Sequence, residues 1–434
     1  MKHHFFSALV LFAAIAGCSP EPPAAMKIES SDLNSIARDY IFLELSMEWH
    51  DSGHVDAYFG PEEIRDAAND AQLSLDEIER RAAEMETALR SRLPVDAGPG
   101  ETDRIDGLLR RLTALRTRIA LKSGDSIAFD EESKRLFGAA APDHDAAYFQ
   151  AILDDIDSLL GGEGDLSERV NAFQDQFTIP PDKLADVFDA AIAECRRRTL
   201  LHIDLPANES FSIEYVNDKP WSGYNWYQGD AQSLIQINTD LSIFISRAVD
   251  LGCHEGYPGH HTFNALLEKN LVQDRGWVEF SIYPLFSPQS LIAEGSGNYG
   301  IDLAFPGDER IEFEKGVLFP LAGLDATEAD RYYEMLALLA KLDYAGNEAA
   351  RDYLDGTIDR EQAVQWLVEY ALMSPERAMQ RTKFFDTYRS YVINYNLGKD
   401  LVRDYVERDT TDTAERWHRF EKLLSSPMTA ADLD

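Results

Sequence analysis

The feature that most constrains the fold is a helical spacing of apolar residues through most of the chain. In LNSIARDYIFLELSMEWH, LDEIERRAAEMETALRSRL and LADVFDAAIAECRRRTLL, apolar residues recur at three- and four-residue intervals, with charged residues between them. From Glu209 to Asn238 the pattern changes to alternating apolar and polar residues with aromatics and turn pairs. The sequence therefore predicts a mainly α-helical protein with one small antiparallel β-sheet.

The length of 434 residues allows a large core, built as one domain or two. We predict an N-terminal helical region over residues 31–205. A second region over residues 206–434 carries the small sheet and the candidate site described below. Because no long linker separates these regions, they are also compatible with one continuous domain.

The N-terminus has the composition of an export signal. Residues 1–17 hold a positively charged start, a short apolar stretch and small residues, as in a signal peptide. The tetrapeptide Ile-Ala-Gly-Cys, which ends at Cys18, resembles a bacterial lipobox and predicts lipidation of that cysteine; an ordinary cleaved signal is the alternative. Residues 18–30 then form a flexible tether. We expect an exported protein, lipid-anchored in the bacterial cell envelope, with Ser19 favouring the outer membrane, at its periplasmic face or its surface.

The charge of the chain excludes some partners. With 77 acidic and 41 basic residues the formal net charge is −36, which would repel nucleic acid and anionic lipid. We therefore expect no nucleic-acid partner, and contact with a membrane through the lipid anchor only. The sequence does not constrain the oligomeric state.

Two cysteines follow Cys18, and they do not indicate a disulfide framework. Cys195 and Cys253 lie far apart in the sequence, whereas disulfide-held exported domains carry several conserved-looking pairs. We expect the fold to rest on its hydrophobic core. Cys253 is interpreted as a small buried residue, since a nucleophile would need a base of its own.

The stretch LGCHEGYPGHHTF begins like the zinc-peptidase motif H-E-x-x-H, but Pro258 stands where the second histidine would be. In an unbroken helix, His261 would be nearly in phase with His254 but about 10 Å farther along the axis. Pro258 breaks helical hydrogen bonding, and Gly259 adopts backbone angles that other residues avoid. A kink at this point would bring His260 towards His254. We therefore predict His254 and His260 as metal ligands, with His261 as the alternative to His260.

Two carboxylates complete the predicted site. Glu255, beside His254, is placed to take a proton from a water molecule as it attacks a carbonyl group. In SPQSLIAEGSGNYGIDLAF, Glu294 is the candidate third ligand, and Asn298 and Asp302 follow one and two turns later as groups that could orient an imidazole. Histidine and carboxylate ligands favour Zn²⁺. The glycines of this segment predict close packing against another helix.

Together, HEGYPGHH and AEGSGNYG resemble the bacterial domain-of-unknown-function 885 (DUF885) family, many of whose members are predicted to be lipoproteins. More distantly, the chain is similar to the gluzincin metallopeptidases. The resemblance covers residues 208–398 and is sharpest at these two motifs. It implies a zincin-type, gluzincin-like, largely helical fold. It also implies His254, His260 and Glu294 as zinc ligands and Glu255 as the general base.

The segment FFDTYRSYVINYNLGKDL supplies further candidates. The family resemblance matches Tyr395 and Gly398 to a Y-x-x-G stretch, and the tyrosine hydroxyl would stabilise the oxyanion formed during hydrolysis. Arg389 would bind a substrate carboxylate. The alternative is that Tyr391 and Tyr395, four residues apart, form one packed face while Arg389 is a solvated surface group.

Two other segments are candidates for substrate binding. The strand around Trp221, Tyr224 and Trp226 could be an edge strand that pairs with a peptide, although the aromatics themselves are interpreted as core residues. His50 and His54 have the spacing of metal ligands. No third ligand is evident beside them, so we favour a role in binding one end of the substrate over a second metal site.

Taken together, the sequence predicts a zinc-dependent hydrolase. The favoured activity is that of a metallopeptidase, which cleaves peptide bonds with metal-activated water and Glu255 as general base. One alternative is a metallohydrolase of a non-peptide amide. The other is a non-catalytic envelope lipoprotein in which the metal site only stabilises the fold.

Overall fold

The computed structural model describes residues 32–93, 100–219 and 221–433. The predicted signal peptide at residues 1–17, the lipidation site Cys18 and the tether at residues 18–30 lie outside these residues. The prediction of a mainly α-helical fold is confirmed. In the part of the chain that the structure describes, no helix combines the length and the apolar character needed to cross a bilayer.

The helices before the three-stranded sheet are amphipathic and several are capped by side chains. Ser74, Asp145 and Asp165 each accept a hydrogen bond from a backbone N–H in the first turn of the helix that follows. These helices are α1 (Leu33–Met47), α2 (Glu62–Ala71), α3 (Leu75–Arg90), α4 (Glu101–Lys122), α5 (Phe129–Phe137), α6 (Ala146–Leu160), α7 (Leu166–Gln174) and α8 (Leu184–Thr199).

After the sheet the chain is again helical, and short π-helical and 3₁₀ turns join several of the helices. The helices are α9 (Ser246–Leu251), α10 (His260–Leu267), α11 (Pro288–Ala304), α12 (Glu309–Phe313), α13 (Phe319–Ala322), α14 (Ala329–Lys341), α15 (Tyr344–Leu354), α16 (Arg360–Tyr370), α17 (Pro375–Tyr388), α18 (Ile393–Glu407) and α19 (Thr413–Leu424).

The strands form two small sheets rather than the single sheet that was expected. They are β1 (Val55–Tyr58), β2 (Ser210–Val216), β3 (Gly223–Gly229), β4 (Gln232–Asn238) and β5 (Ile282–Pro284). β1 and β5 pair antiparallel. In the other sheet the order is β2-β4-β3, so the sheet is mixed. β3 and β4 form an antiparallel hairpin, but β2 pairs with the outer side of β4 and runs parallel to it.

Two clusters of buried apolar side chains hold these elements together. One cluster is formed mainly by helices α1 to α4 and includes Ile282 of β5. The larger cluster joins helices on both sides of residue 205, with Phe129 and Phe188 in contact with the same core as Phe263 and Phe385. The β1–β5 pair therefore links the first helices to the segment that leads into α11.

Helices α11 and α18 cross at a pair of glycines. A side chain at Gly295 would lie 2.4 Å from the backbone oxygen of Gly398, and one at Gly398 would lie 2.8 Å from the backbone oxygen of Leu291. Only glycine allows the two backbones to approach so closely. The predicted close packing of this glycine-rich segment is confirmed, and it fixes the position of α11, which carries Glu294.

The two cysteines form a disulfide bond, which corrects the expectation that the fold rests on its core alone. Cys195 of α8 is bonded to Cys253, the residue before His254. Both cysteines are fully buried. The 58 residues between them include the whole three-stranded sheet, so their sequence separation gave no indication that α8 packs directly against the histidine motif.

Candidate metal centre

The helix that carries the histidine motif is broken, as the Pro-Gly pair predicts. After α9 the chain forms a π-helical turn over Gly252–Gly256, and α10 begins at His260. The Tyr257–Pro258 peptide bond between them is cis. Gly259 donates its backbone N–H to the oxygen of Cys253 at 3.0 Å, and any side chain at this position would collide with the His254 carbonyl. His260 therefore starts a new helix instead of continuing the old one.

This break brings His260 next to His254. The two imidazole rings have centroids 4.5 Å apart and are nearly perpendicular. Glu294 of α11 approaches from the other side, with its Oε2 atom 3.2 Å from Nε2 of His254 and 3.8 Å from Nε2 of His260. One ligand atom of each residue lies within 4.8 Å of the other two. The cluster of His254, His260 and Glu294 could therefore hold a metal ion.

The free oxygen of Glu294 is the strongest sign of fit to a cation. Its Oε1 atom accepts a hydrogen bond from the hydroxyl of Tyr391 at 2.8 Å. Its Oε2 atom is buried and has no hydrogen-bond donor among the described residues. Ligand atoms around a tetrahedral zinc ion lie about 3.3–3.6 Å from one another, since each bond is about 2.0–2.2 Å long. The observed separations of Oε2 from the two imidazole nitrogens are close to this range.

The orientation of His254 is set by α11. Its Nδ1 atom lies 3.0 Å from Oδ1 of Asn298, and Nδ2 of Asn298 donates to the backbone oxygen of Tyr395 at 2.8 Å. A side chain at Gly297 would lie 2.9 Å from the imidazole ring, so the glycine leaves the space that the ring occupies. Asn298 therefore holds Nδ1 of His254 and leaves Nε2 directed at Glu294.

Electrostatics favour the forms of these residues that bind metals. Burial lowers the pKa of His260 to about 4, with a further contribution from His254, so His260 is neutral at neutral pH. Burial opposes the charged forms of the other two, but their mutual hydrogen bond and charges outweigh it. The pKa of His254 is raised and the pKa of Glu294 is lowered. A proton shared by His254 and Glu294 occupies the place that a divalent cation would take.

Glu255 lies beside the cluster and is buried. Its backbone oxygen accepts a hydrogen bond of 2.7 Å from Nδ2 of Asn225, which lies on β3. Its Oε2 atom has no donor among the described residues, as is true of Glu294. Burial, with a contribution from the charge of Glu294, raises the pKa of Glu255 to about 7.

The structure places His261 outside the cluster. Its side chain is fully buried on the opposite side of α10, with Nδ1 2.8 Å from the hydroxyl of Ser233 and Nε2 3.2 Å from Oε2 of Glu209. Consecutive residues of a helix point about 100° apart. Only one of the two adjacent histidines can therefore face Glu294, and that residue is His260.

Two predicted residues lie away from the centre. Asp302 is about 80° out of phase with Glu294 on α11, and its half-exposed carboxylate pairs with Lys399 at 2.8 Å instead of contacting an imidazole. Arg389 binds the buried carboxylate of Glu132 at 2.7 Å. The expected single late helix is divided by a 3₁₀ turn at Arg389–Val392, which directs Arg389 away from Tyr395. The substrate-binding role predicted for Arg389 is therefore wrong.

The N-terminal histidines also serve a different purpose. His54 is fully buried, and its Nε2 atom lies 2.5 Å from Oε2 of Glu44 on α1. His50 is exposed, and its Nε2 atom lies 2.7 Å from the backbone oxygen of Leu73. Neither lines the cavity described next. The prediction that they bind one end of the substrate is wrong, since His54 stabilises the fold.

The centre opens into a cavity of about 1210 Å³. Trp221, Tyr224 and Trp226 line it, so the interpretation of these aromatics as core residues is wrong. Tyr395 lies on the wall as well, and burial holds the pKa of its hydroxyl well above the usual value.

Sequence reasoning missed several residues of this cavity. Tyr391 was noticed only as a packing partner of Tyr395, although it is the residue that donates to Glu294. Asp56 accepts a hydrogen bond from Tyr224 and lines the same space. Arg377 and Arg381 also line it. The spacing of these arginines, one helical turn apart, was the only signal that could have revealed them.

Comparison with known proteins adds two similarities of fold. No protein-family model matches the sequence, and no curated protein matches it significantly. A solved structure from Colwellia psychrerythraea, described as a "putative lipoprotein", has a TM-score of 0.49 at 16% identity and covers 85% of this chain and 70% of its own. A "putative lipoprotein of unknown function" from Shewanella oneidensis has a TM-score of 0.45 at 12% identity, covering 91% and 81%. Neither similarity assigns an activity to this chain.

Proposed function

We propose that the protein is a zinc-dependent hydrolase that cleaves peptide bonds. The observation that carries this proposal is the convergence of His254, His260 and Glu294 on one point of a large cavity, with Glu255 beside them. A buried carboxylate oxygen without a hydrogen-bond donor is costly unless a ligand satisfies it. Two such oxygens, one on Glu255 and one on Glu294, face the same site.

Zinc is the metal that suits this donor set. Two imidazole nitrogens and one carboxylate oxygen are typical of catalytic zinc sites, which keep a further position open. When bound, zinc would supply Lewis acidity, which makes water a better nucleophile and polarises a carbonyl group. Asn298 contributes by holding the His254 ring, and Tyr391 by fixing one oxygen of Glu294.

Glu255 is the proposed general base. Its pKa of about 7, raised by burial, is close to neutral pH. At such a pKa the carboxylate can accept a proton from the attacking water and later release it to the leaving amine. Its side chain makes no hydrogen bond at Oε2 among the described residues, so this oxygen is available to a water molecule.

Tyr395 is proposed to assist as a hydrogen-bond donor. Its hydroxyl remains protonated because burial holds its pKa well above the usual value, and the negative charges of Glu294 and Glu255 act in the same direction. No described residue accepts a hydrogen bond from this hydroxyl. A donor held in this way can stabilise the substrate oxygen on which negative charge develops.

The three-stranded sheet offers a place for the substrate backbone. β3 is an edge strand of its sheet, and its first residue, Gly223, packs against Oε1 of Glu255. An extended peptide could pair with this edge through main-chain hydrogen bonds. Trp221 and Trp226 would then contact its side chains. This arrangement favours a peptide over a small non-peptide amide as the substrate.

We further propose that the protein acts outside the cytoplasm as a lipoprotein. The basis is the signal-like sequence of residues 1–17 and the lipobox that ends at Cys18. Metabolic labelling of the full-length protein with a fatty-acid probe, compared with Cys18→Ser, tests this part. Label that persists in the variant would contradict it.

The activity itself is tested on the purified protein with zinc removed by a chelator and then restored. Peptides and non-peptide amides are offered in parallel. We expect peptide cleavage that requires zinc, and a loss of about 10²- to 10⁴-fold in kcat for Glu255→Gln with zinc still bound. Cleavage that is indifferent to the chelator, or full activity in the variant, would contradict the proposal. Turnover of non-peptide amides alone would favour that alternative substrate class.

A further inference from the structure

Two arginines in the cavity lack the carboxylate partners that its other cations have. Arg377 and Arg381 lie on α17 and line the cavity. Among the described residues, neither forms an ion pair or a side-chain hydrogen bond with protein. The remaining cavity cations are each paired with an aspartate, and these are Arg118, Arg247, Arg310 and Lys399.

This absence of partners is unexpected in so acidic a chain. The sequence has 77 acidic residues against 41 basic ones, so carboxylates are abundant. Arg377 and Arg381 are four residues apart on one helix and share a face, where like charges repel. Nε of Arg381 is buried and has no hydrogen-bond partner among the described residues. Asp343 lies within range of its charge but does not form an ion pair with it.

Aromatic rings hold both guanidinium groups in place. Arg381 lies 4.6 Å from the centroid of the Phe384 ring, and Arg377 lies 5.9 Å from that of Phe244. A guanidinium group that stacks on a ring keeps its N–H donors free at the edge, where they match the two oxygens of a carboxylate. The pair is therefore built to bind an anion from the cavity.

A short series of contacts connects Arg381 to the metal centre. Phe384, on which Arg381 stacks, lies 6.4 Å from the Tyr395 ring, centroid to centroid. The Tyr395 ring lies 5.8 Å from that of Tyr391, whose hydroxyl donates to Glu294. A substrate at the proposed reaction site would therefore extend past Tyr395 towards Arg381.

We propose that Arg381, together with the more exposed Arg377, binds a carboxylate group of the substrate. This inference rests on the proposed hydrolase function and specifies its substrate class as anionic peptides. The carboxylate comes either from the C-terminus of the peptide or from an acidic side chain. The role that the sequence suggested for Arg389 thus belongs to two arginines on the preceding helix.

Binding is measured by calorimetry on the zinc-loaded Glu255→Gln protein, which keeps the probes intact. The probes are N-acetyl-tetraalanine with a free C-terminus, the same peptide as its amide, and an amide in which one alanine is replaced by glutamate. We expect the free acid or the glutamate peptide to bind about 10- to 100-fold more tightly than the neutral amide. Whichever anionic probe gains affinity identifies the source of the carboxylate.

The arginine variants are made in the same background. Arg381→Gln should remove the preference for the anionic probe, Arg377→Gln should reduce it by less, and Arg381→Lys should retain part of it. Arg275→Gln is the matched control, because Arg275 also stacks on an aromatic ring, that of Trp277, but lies outside the cavity. Equal affinity for all three probes, no binding of any probe, or a preference that survives Arg381→Gln would overturn the inference.

The outcome separates this inference from the proposed function. Zinc-dependent cleavage of neutral amides and free acids with equal efficiency would leave the hydrolase and overturn the carboxylate subsite. Binding of an anionic probe that depends on Arg381, without cleavage of any peptide by the wild-type protein, would support the subsite and overturn the hydrolase.

Discussion

The molecule contains two pairs of histidines, and the pair with the more suggestive spacing is the one that does not gather a metal cluster. His50 and His54 are four residues apart, as in many metal sites, whereas His254 and His260 are six apart. Yet only the second pair converges with a third ligand, Glu294. Sequence spacing predicts a shared ligand position only where the backbone between the two residues continues as a regular helix.

The backbone explains the difference. α1 ends at Met47, so His50 and His54 lie in a turn, and His54 is directed into the core against Glu44. In the other region the π-helical turn and the break before His260 change the direction of the chain. An irregularity that separates two side chains in one place brings them together in the other.

The largest expected effect distinguishes the two buried glutamates, one beside each histidine pair. Glu294→Gln should weaken zinc binding on the order of a thousandfold, because it removes one of three protein ligands. Glu44→Gln should leave zinc binding unchanged, since Glu44 contacts only His54 of the N-terminal pair. Competition with a zinc chelator of known affinity measures both. Equal losses in the two variants would mean that the comparison is wrong.

The next effect concerns stability and inverts the comparison. His54→Ala should lower the free energy of unfolding by about 3 kcal/mol, because the buried carboxylate of Glu44 loses its hydrogen bond. His50→Ala should cost less than about 1 kcal/mol, since His50 is exposed. Urea denaturation of the metal-free proteins provides the values. A tolerant His54, or a loss of zinc in either variant, would argue against a purely structural pair.

A smaller effect tests how the His254 ring is held. Asn298→Ala should weaken zinc binding by about 10- to 100-fold, because Nδ1 of His254 loses its partner. Asp302→Ala, one turn farther along α11, is the matched control and should have little effect, since Asp302 pairs with Lys399. Chelator competition again gives the result, and a reversed order of the two variants would place the orienting group at Asp302.

The smallest effect is a dependence of stability on pH near the N-terminal pair. Burial raises the pKa of Asp56 to about 7, so its neutral form stabilises the folded state. That contribution is fully present below the pKa of the unfolded chain, about 4, and is lost as the pH rises through about 7. Asp56→Asn should therefore gain stability relative to the wild type between about pH 5 and pH 8, as followed by thermal unfolding.

Asp51 provides the control of opposite sign. Burial opposes its ionisation, but Arg118 and Lys122 outweigh this and lower its pKa. Its contribution is present above the pKa of the unfolded chain and is lost as the pH falls through its own pKa. Asp51→Asn should be less stable than the wild type at neutral pH, with a gap that closes in acid. Parallel profiles for the two variants would contradict the assigned environments.

Much of the site could be predicted because its signals are local. Pro258 and Gly259 indicate a helix break by their own backbone properties, and the glycines around Glu294 indicate close packing. What could not be predicted depends on contacts between distant segments. The bond between Cys195 and Cys253 requires α8 to lie against the motif, and the parallel pairing of β2 with β4 depends on which side of a hairpin the strand joins.

Side-chain direction was the other source of error. Arg389 was assigned to the same helix as Tyr395, but the 3₁₀ turn between α17 and α18 places it on the opposite side. The arginines that do line the cavity, Arg377 and Arg381, lie one turn apart in an ordinary amphipathic helix. Their pattern is the same as that of a solvated face, so only the packing of α17 against the cavity distinguishes the two.

The central claim is that the helix break selects His260 instead of His261 as the partner of His254, and bound metal tests this most directly. The protein, His260→Ala and His261→Ala are each saturated with zinc, dialysed and measured by elemental analysis. The account predicts about one zinc ion per chain in the wild type and in His261→Ala, and none in His260→Ala. A wild type without zinc, or zinc that is lost with His261 and retained without His260, would contradict it.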